Sequence, residues 1–82
     1  MPTIARIGPY RIYFYSQDRR EPPHVHIDRD AHTAKLWLGP VELAHNIGFR
    51  AKELRDVRRV VIEHTTEFLE AWHDNFPPPE TG

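Results

Sequence analysis

Among its 82 residues the chain has no cysteine. That excludes a disulfide framework and any metal site built on thiolates. No apolar run is long enough to span a bilayer and no signal-peptide pattern opens the chain, so a soluble, cytoplasmic protein with no membrane partner is expected. The formal net charge is only −1, which argues against general nucleic-acid binding through bulk charge. There is no phosphate-cradling glycine loop, no nucleophilic Ser or Cys constellation and no DNA-reading helix signature. Nor is there an internal repeat or a linker long enough to separate domains. A chain of this length makes one domain, and its core needs most of the apolar residues available.

What charge there is lies unevenly. Residues 1–62 hold all 11 basic residues and seven of the 12 acidic ones, a balance of +4, while residues 63–82 hold five acidic residues and no Lys or Arg. Nine of the basic residues are arginine, the side chain that grips phosphate or carboxylate through two parallel bonds. A basic body with an acidic end is compatible with an anionic partner and equally with an ordinary dipolar surface.

The first half of the chain reads as strands. Thr3–Ile7 is short, Gly8-Pro9 is a turn signal, and Tyr10–Tyr15 is aromatic and β-branched almost throughout. Tyr10, Ile12 and Phe14 share one face of that strand; Arg11, Tyr13 and Tyr15 share the other. A polar loop over 16–23 precedes a third strand from His24 to about Arg29. The fourth runs from Thr33 to Leu38, with Ala34, Leu36 and Leu38 opposite Lys35 and Trp37, and Val41–Ala44 adds a short fifth. From about Ala51 to Asn75 the period changes. Leu54, Val57, Val61, His64, Phe68 and Trp72 recur at spacings of three and four, which predicts one long helix ended by Pro77-Pro78-Pro79. The expected fold is α+β: a small antiparallel sheet of four to five strands with one long C-terminal helix packed on one face. Residues 1–76 form the domain and 77–82 a loose tail.

The most chemically loaded stretch is Arg20-Glu21-Pro22-Pro23-His24-Val25-His26-Ile27. Two prolines suit a turn or a strand's first residue. With Val25 and Ile27 assigned to the core, His24, His26 and Asp28 join Arg11, Tyr13, Tyr15, Lys35 and Trp37 on the face the helix leaves open. Rings beside cations suit a single-stranded nucleic acid, and equally a protein interface, including a homodimer. His64 and Arg58 fall inside or beside the apolar arc of the helix. His64 is either a partly buried structural group or a further member of the His24/His26 site.

Two chemistries use these residues. A zinc ion needs three or four ligands; His24 and His26 offer two, and Asp28, His32, His45 or His64 could add another, but the spacing matches no strong zinc signature. No metal or other cofactor is therefore expected. Metal-independent RNA cleavage needs a base, an acid and cations for the phosphorane-like transition state. His24 and His26 could divide the first two roles, with Arg20, Arg11 or Lys35 on the phosphate.

The blocks Tyr10–Ser16, Arg20–His26, Ala34–Leu38, Asn46–Phe49, Glu63-His64 and Ala71-Trp72 together resemble a widespread family of small bacterial proteins described as a domain of unknown function. The resemblance covers most of residues 2–76, with Glu21-Pro22-Pro23-His24-Val25-His26 its most specific block. It implies a second small protein encoded alongside, in pairs organised like toxin–antitoxin operons, and hence a cognate protein partner. The expectation is one component of such a module, possessing a ribonuclease-like activity at His24, His26 and Arg20, or else a non-enzymatic regulatory domain that binds a protein or RNA, or a metal-binding module.

Overall fold

The computed structural model describes residues 3–77. Five strands, β1 (Thr3–Ile7), β2 (Tyr10–Tyr13), β3 (His24–Arg29), β4 (His32–Leu38) and β5 (Val41–Ile47), pair antiparallel in chain order as a simple meander. The connections follow local chemistry. Gly8 turns the β1–β2 hairpin at φ +56, where a side chain would be strained. Asp30 turns β3 into β4 at φ +55, a conformation that aspartate tolerates better than most residues. A 3₁₀ turn, Ser16–Arg20, carries the chain from β2 to β3. At the end of β5 the Asn46 amide closes a small ring: its Oδ1 accepts the Phe49 N–H at 3.1 Å and its Nδ2 donates to the Phe49 carbonyl at 2.9 Å. Gly48 sits inside that ring at φ +96, where a Cβ would also collide with the His32 ring. The connector expected over 46–49 is thus a clasp, and β5 reaches three residues further than Ala44.

The expectation of one long helix is corrected. There are two helices, α1 (Ala51–Glu63) and α2 (Thr65–Asn75), broken at His64. The break has a local cause. The Thr65 hydroxyl donates to the Val61 carbonyl at 2.7 Å and to the Ile62 carbonyl at 3.1 Å, competing with the backbone ladder just after the β-branched run Val60-Val61-Ile62. Phe76 closes α2 through its N–H to the Trp72 carbonyl, and Pro77 follows. The tail expected over 77–82 lies, past Pro77, outside the described residues.

Both helices lie on one face of the sheet. Ile12, Val25, Ile27 and Leu36 from the sheet, with Phe14 just past β2, meet Val57, Val61, Phe68 and Trp72 from the helices, all buried. Phe14 and Trp72 meet edge to face with centroids 5.2 Å apart. This is the α+β architecture anticipated, and the face the helices cover is the one that bears Ile12, Val25, Ile27 and Leu36. No helix among the described residues is long and apolar enough to cross a membrane.

An ion pair locks the start of α1 to the sheet. Arg29 grips Glu53 through both Nε and Nη2, the latter 2.6 Å from Oε1, and the Tyr10 hydroxyl donates to Glu53 Oε2 at 3.0 Å. The Arg29 guanidinium holds the Glu53 carboxyl below the usual glutamate range. A lowered folded value means that this stabilisation is present above the unfolded glutamate pKa and is lost as pH falls through the folded one. Glu53→Gln should therefore lower the midpoint of urea unfolding at neutral pH. The gap to the parent chain should close as the pH is brought below the glutamate range, a series that fluorescence of the two tryptophans can follow.

Candidate functional site

Strand alternation builds the uncovered face from three cross-strand rows. One row is Tyr13, His26, Lys35 and His45; a second is Arg11, Asp28, Thr33 and Ile47; a third is His24, Trp37 and Glu42. The face is shaped into an open concavity of about 730 Å³, walled by Tyr13, Tyr15, His26, Lys35, Trp37 and His45 among others. Tyr13 is 3% exposed although it lies on this face. Its ring stacks on His26 at 5.3 Å, Arg11 lies 4.7 Å above it, and its hydroxyl donates to Asp28 Oδ1 at 2.9 Å. Burial, with Tyr15 and Asp28 adding to it, pushes the Tyr13 phenol above its ordinary range.

The cations of the face already have partners. Arg11 lies 4.0 Å from Asp28, and Lys35 donates to Glu21 Oε1 at 2.7 Å while sitting 4.7 Å over the Trp37 ring. Lys35 in turn holds the Glu21 carboxyl below the usual range. The result is an aromatic surface whose charges are largely balanced.

At one end of the face the two histidines part company. His26 keeps one edge on the concavity. His24 is fully buried, its ring 5.1 Å from Trp72, 5.4 Å from Trp37 and 5.1 Å from His26. The chain from Tyr15 to Pro23 folds back over the strand end and closes it off. Within that segment the Tyr15 N–H donates to Asp18 Oδ2 at 2.7 Å, and the Asp18 N–H donates to the Tyr15 carbonyl at 3.1 Å. Asp18 is thereby aimed at both imidazoles: Oδ2 is 3.0 Å from His26 Nε2 and Oδ1 is 3.1 Å from His24 Nε2. The other nitrogen of His24, Nδ1, faces the Pro22 carbonyl at 2.9 Å. Burial depresses the His26 pKa; Asp18 opposes that shift and His24 adds to it.

The structure thus brings together Arg11, Tyr13, Tyr15, His26, Lys35 and Trp37 on one surface, with His24 beneath its end. Arg20 is exposed where the 3₁₀ turn ends. His64 stands apart: it stacks on Phe68 and faces Glu67 Oε1 at 3.2 Å, and Arg58 is exposed on α1. Among the extra ligands considered for a metal, Asp28 is held by Tyr13 and Arg11, and His64 lies at the break between α1 and α2. The residue that joins the histidine pair is Asp18, which sequence reasoning left in the polar loop. The signal available was its place six residues before His24, with Pro22-Pro23 between them to reverse the chain.

The chain matches the model of the family described as Domain of unknown function (DUF4160) over residues 10–73, and it belongs to that family. No curated protein and no solved structure matches it.

Asp18 ties the loop to the strand through charge-assisted contacts that an alanine cannot make. Asp18→Ala should lower the free energy of unfolding by roughly 2 kcal/mol, the size expected when hydrogen bonds to a buried carboxylate are removed. Arg20→Ala, at an exposed position two residues away, should change it by less than about 0.5 kcal/mol. Paired urea titrations of the two variants against the parent check both values.

Proposed function

We propose that the chain is one half of a bacterial two-protein module of toxin–antitoxin type, and that it engages a small cognate protein through the open sheet face and the β5 edge. The observation that carries this reading is β5 itself. It is an outer strand of seven residues with one side of its backbone unpaired in the sheet, and it exposes Leu43 (45%) and Ile47 (53%). An edge of that length with apolar side chains on show is a template for strand pairing with another chain. The adjoining face supplies Tyr15, Trp37 and His45 as a ring-rich floor, of the kind favoured at the centres of protein interfaces. Its charges favour a polypeptide over RNA. A phosphate would have to displace Asp28 from Arg11 or Glu21 from Lys35, whereas a neutral partner displaces neither.

A second reading rests on one further observation, the Asp18 carboxylate 3.0 Å from His26 Nε2 at the concavity's edge. In it the chain is a metal-independent ribonuclease-like toxin. An acid-oriented imidazole of this kind can take a proton from a ribose 2′-hydroxyl, with Lys35 or Arg20 on the phosphate. His24 is closed off from a bulky substrate, so its part in this reading is played through Asp18.

The two readings separate in one set of experiments. Co-expression with the protein encoded next to it should yield a complex on size exclusion, and Leu43→Lys/Ile47→Lys should weaken that complex at least tenfold while leaving the fold intact. No complex, or a complex indifferent to the double substitution, overturns the first reading. A dimer of the chain alone, broken by the same substitutions, would assign the edge to a second copy instead. Induction of the chain alone, with growth arrest and RNA loss relieved by His26→Ala, would favour the ribonuclease.

A further inference from the structure

The polar cluster at the start of β3 has a chemical problem that neither reading resolves. His24 is entirely enclosed. Its Nδ1 faces the Pro22 carbonyl oxygen, which can only accept, so Nδ1 carries a proton. In the neutral ring Nε2 is then a bare lone pair, and it points towards a carboxylate. Among the described residues, His24 Nε2 is the buried side-chain polar atom with no hydrogen-bond partner. Asp18 Oδ1 is near enough, at 3.1 Å, but lies off the direction in which an N–H would point, so the contact is close without being a hydrogen bond. Two electron-rich atoms held together in a buried site require a cation between them.

A metal ion meets this requirement where a proton meets it poorly. A proton on Nε2 must lie along the ring's axis and needs its acceptor on that axis. A metal lies on the same axis about 2.0–2.1 Å out, and its other ligands approach it from the side. With bonds of that length, neighbouring donors of a tetrahedral site stand about 3.3 Å apart. His24 Nε2 stands 3.1 Å from Asp18 Oδ1 and His26 Nε2 3.0 Å from Asp18 Oδ2, each within a few tenths of that spacing for its own carboxylate oxygen, and one donor atom from each residue lies within 4.8 Å of the others.

The surroundings fit as well. The Pro22 carbonyl on Nδ1 is the outer partner that orients a ligating histidine and fixes its tautomer. The Tyr15 N–H does the same for the carboxylate. Trp37 and Trp72 wall the His24 side, and Tyr13 and Tyr15 hold the His26 ring.

We propose that Asp18, His24 and His26 form a binding site for a divalent first-row transition cation of the zinc type, with a further coordination position facing the concavity. Two imidazole nitrogens disfavour calcium and magnesium, which take oxygen ligands. The further position follows from His26, whose edge reaches the concavity while His24 is sealed. Glu21, 3.8 Å from His24 Nε2, is already engaged by Lys35 and stays outside the set. Because the ion takes the His26 Nε2 lone pair, this site and the metal-independent ribonuclease exclude each other at that atom. The partner reading rests on the exposed β5 edge and stands or falls by its own test, whichever outcome holds here.

The test uses tag-free full-length chain, stripped with a chelator and titrated with zinc chloride in a calorimeter. One equivalent per chain is expected. Asp18→Asn and His26→Gln should each weaken binding at least tenfold, and His64→Gln/His73→Gln, on the helices, should not. Absence of saturable uptake overturns the proposal, as does uptake indifferent to Asp18→Asn and His26→Gln or lost with the helix pair. Should either site variant fail to fold, the imidazole ¹H–¹⁵N spectrum of the unaltered chain decides. Zinc should move the Nε2 resonances of two histidines, one of them protonated on Nδ1 beforehand; a spectrum in which no such pair moves overturns the proposal.

Discussion

The burial of one imidazole organises this half of the molecule. A polar group enclosed without partners costs about 1–3 kcal/mol, and His24 is enclosed completely. The chain meets that cost on one side with the Pro22 carbonyl and approaches it on the other with Asp18. Both partners come from the same loop, so the loop has to lie back over the end of β3. Pro22 and Pro23 give up no hydrogen bond in doing so, since neither has an N–H to satisfy, and the Pro23 carbonyl takes the Leu38 N–H at 3.0 Å. The positions of Tyr15, Asp18 and Glu21 around the histidines all follow from that reversal.

The sheet itself is asymmetric. The helices cover one face with aliphatic and aromatic side chains, while the other carries a thin second layer of its own. Tyr13 is as buried there as many core residues, held between Arg11, His26 and Asp28. This layer is built from rings and paired charges, so it is rigid without being apolar. Rigidity of that kind suits recognition, because little side-chain freedom remains to be lost when a partner arrives. The β5 edge next to it has no such layer, and Leu43 and Ile47 stand out from it.

How much of this could be read from the residues varies with the range of the interaction. Alternation in β2, β3 and β4 correctly separated Ile12, Val25, Ile27, Ala34, Leu36 and Leu38 from Arg11, Tyr13, His26, Lys35 and Trp37, because a strand's period is local and strict. The helical period over 51–75 was also legible, but the break at His64 was not. Apolar spacing continues across it from Val61 to Phe68, and only the Thr65 hydroxyl's bonds to the preceding turn betray it. His24 was placed on the open face by the same alternation, and its strand position is as expected; its burial comes from Trp37, from Trp72 of α2 and from a loop that has no period to read. Asp18 escaped for that reason too, since its role depends on a chain reversal several residues long.

Because Asp18 binds the Tyr15 N–H as well as facing the histidines, the buried cluster and the open face are mechanically one unit. Tyr15 forms an exposed wall of the concavity, 4.7 Å from the His26 ring, and its backbone is anchored by the same carboxylate oxygen that faces His26. A charge placed among Asp18, His24 and His26 would tighten that anchor. Without it the carboxylate keeps its hydrogen bond to His26 but still faces the His24 Nε2 lone pair, a repulsion relieved most easily by moving the loop. The loop carries Glu21, whose ion pair with Lys35 helps neutralise the face. An ion held in the cluster would therefore act on both the shape of the surface, through Asp18 and Tyr15, and its charge balance, through Glu21 and Lys35.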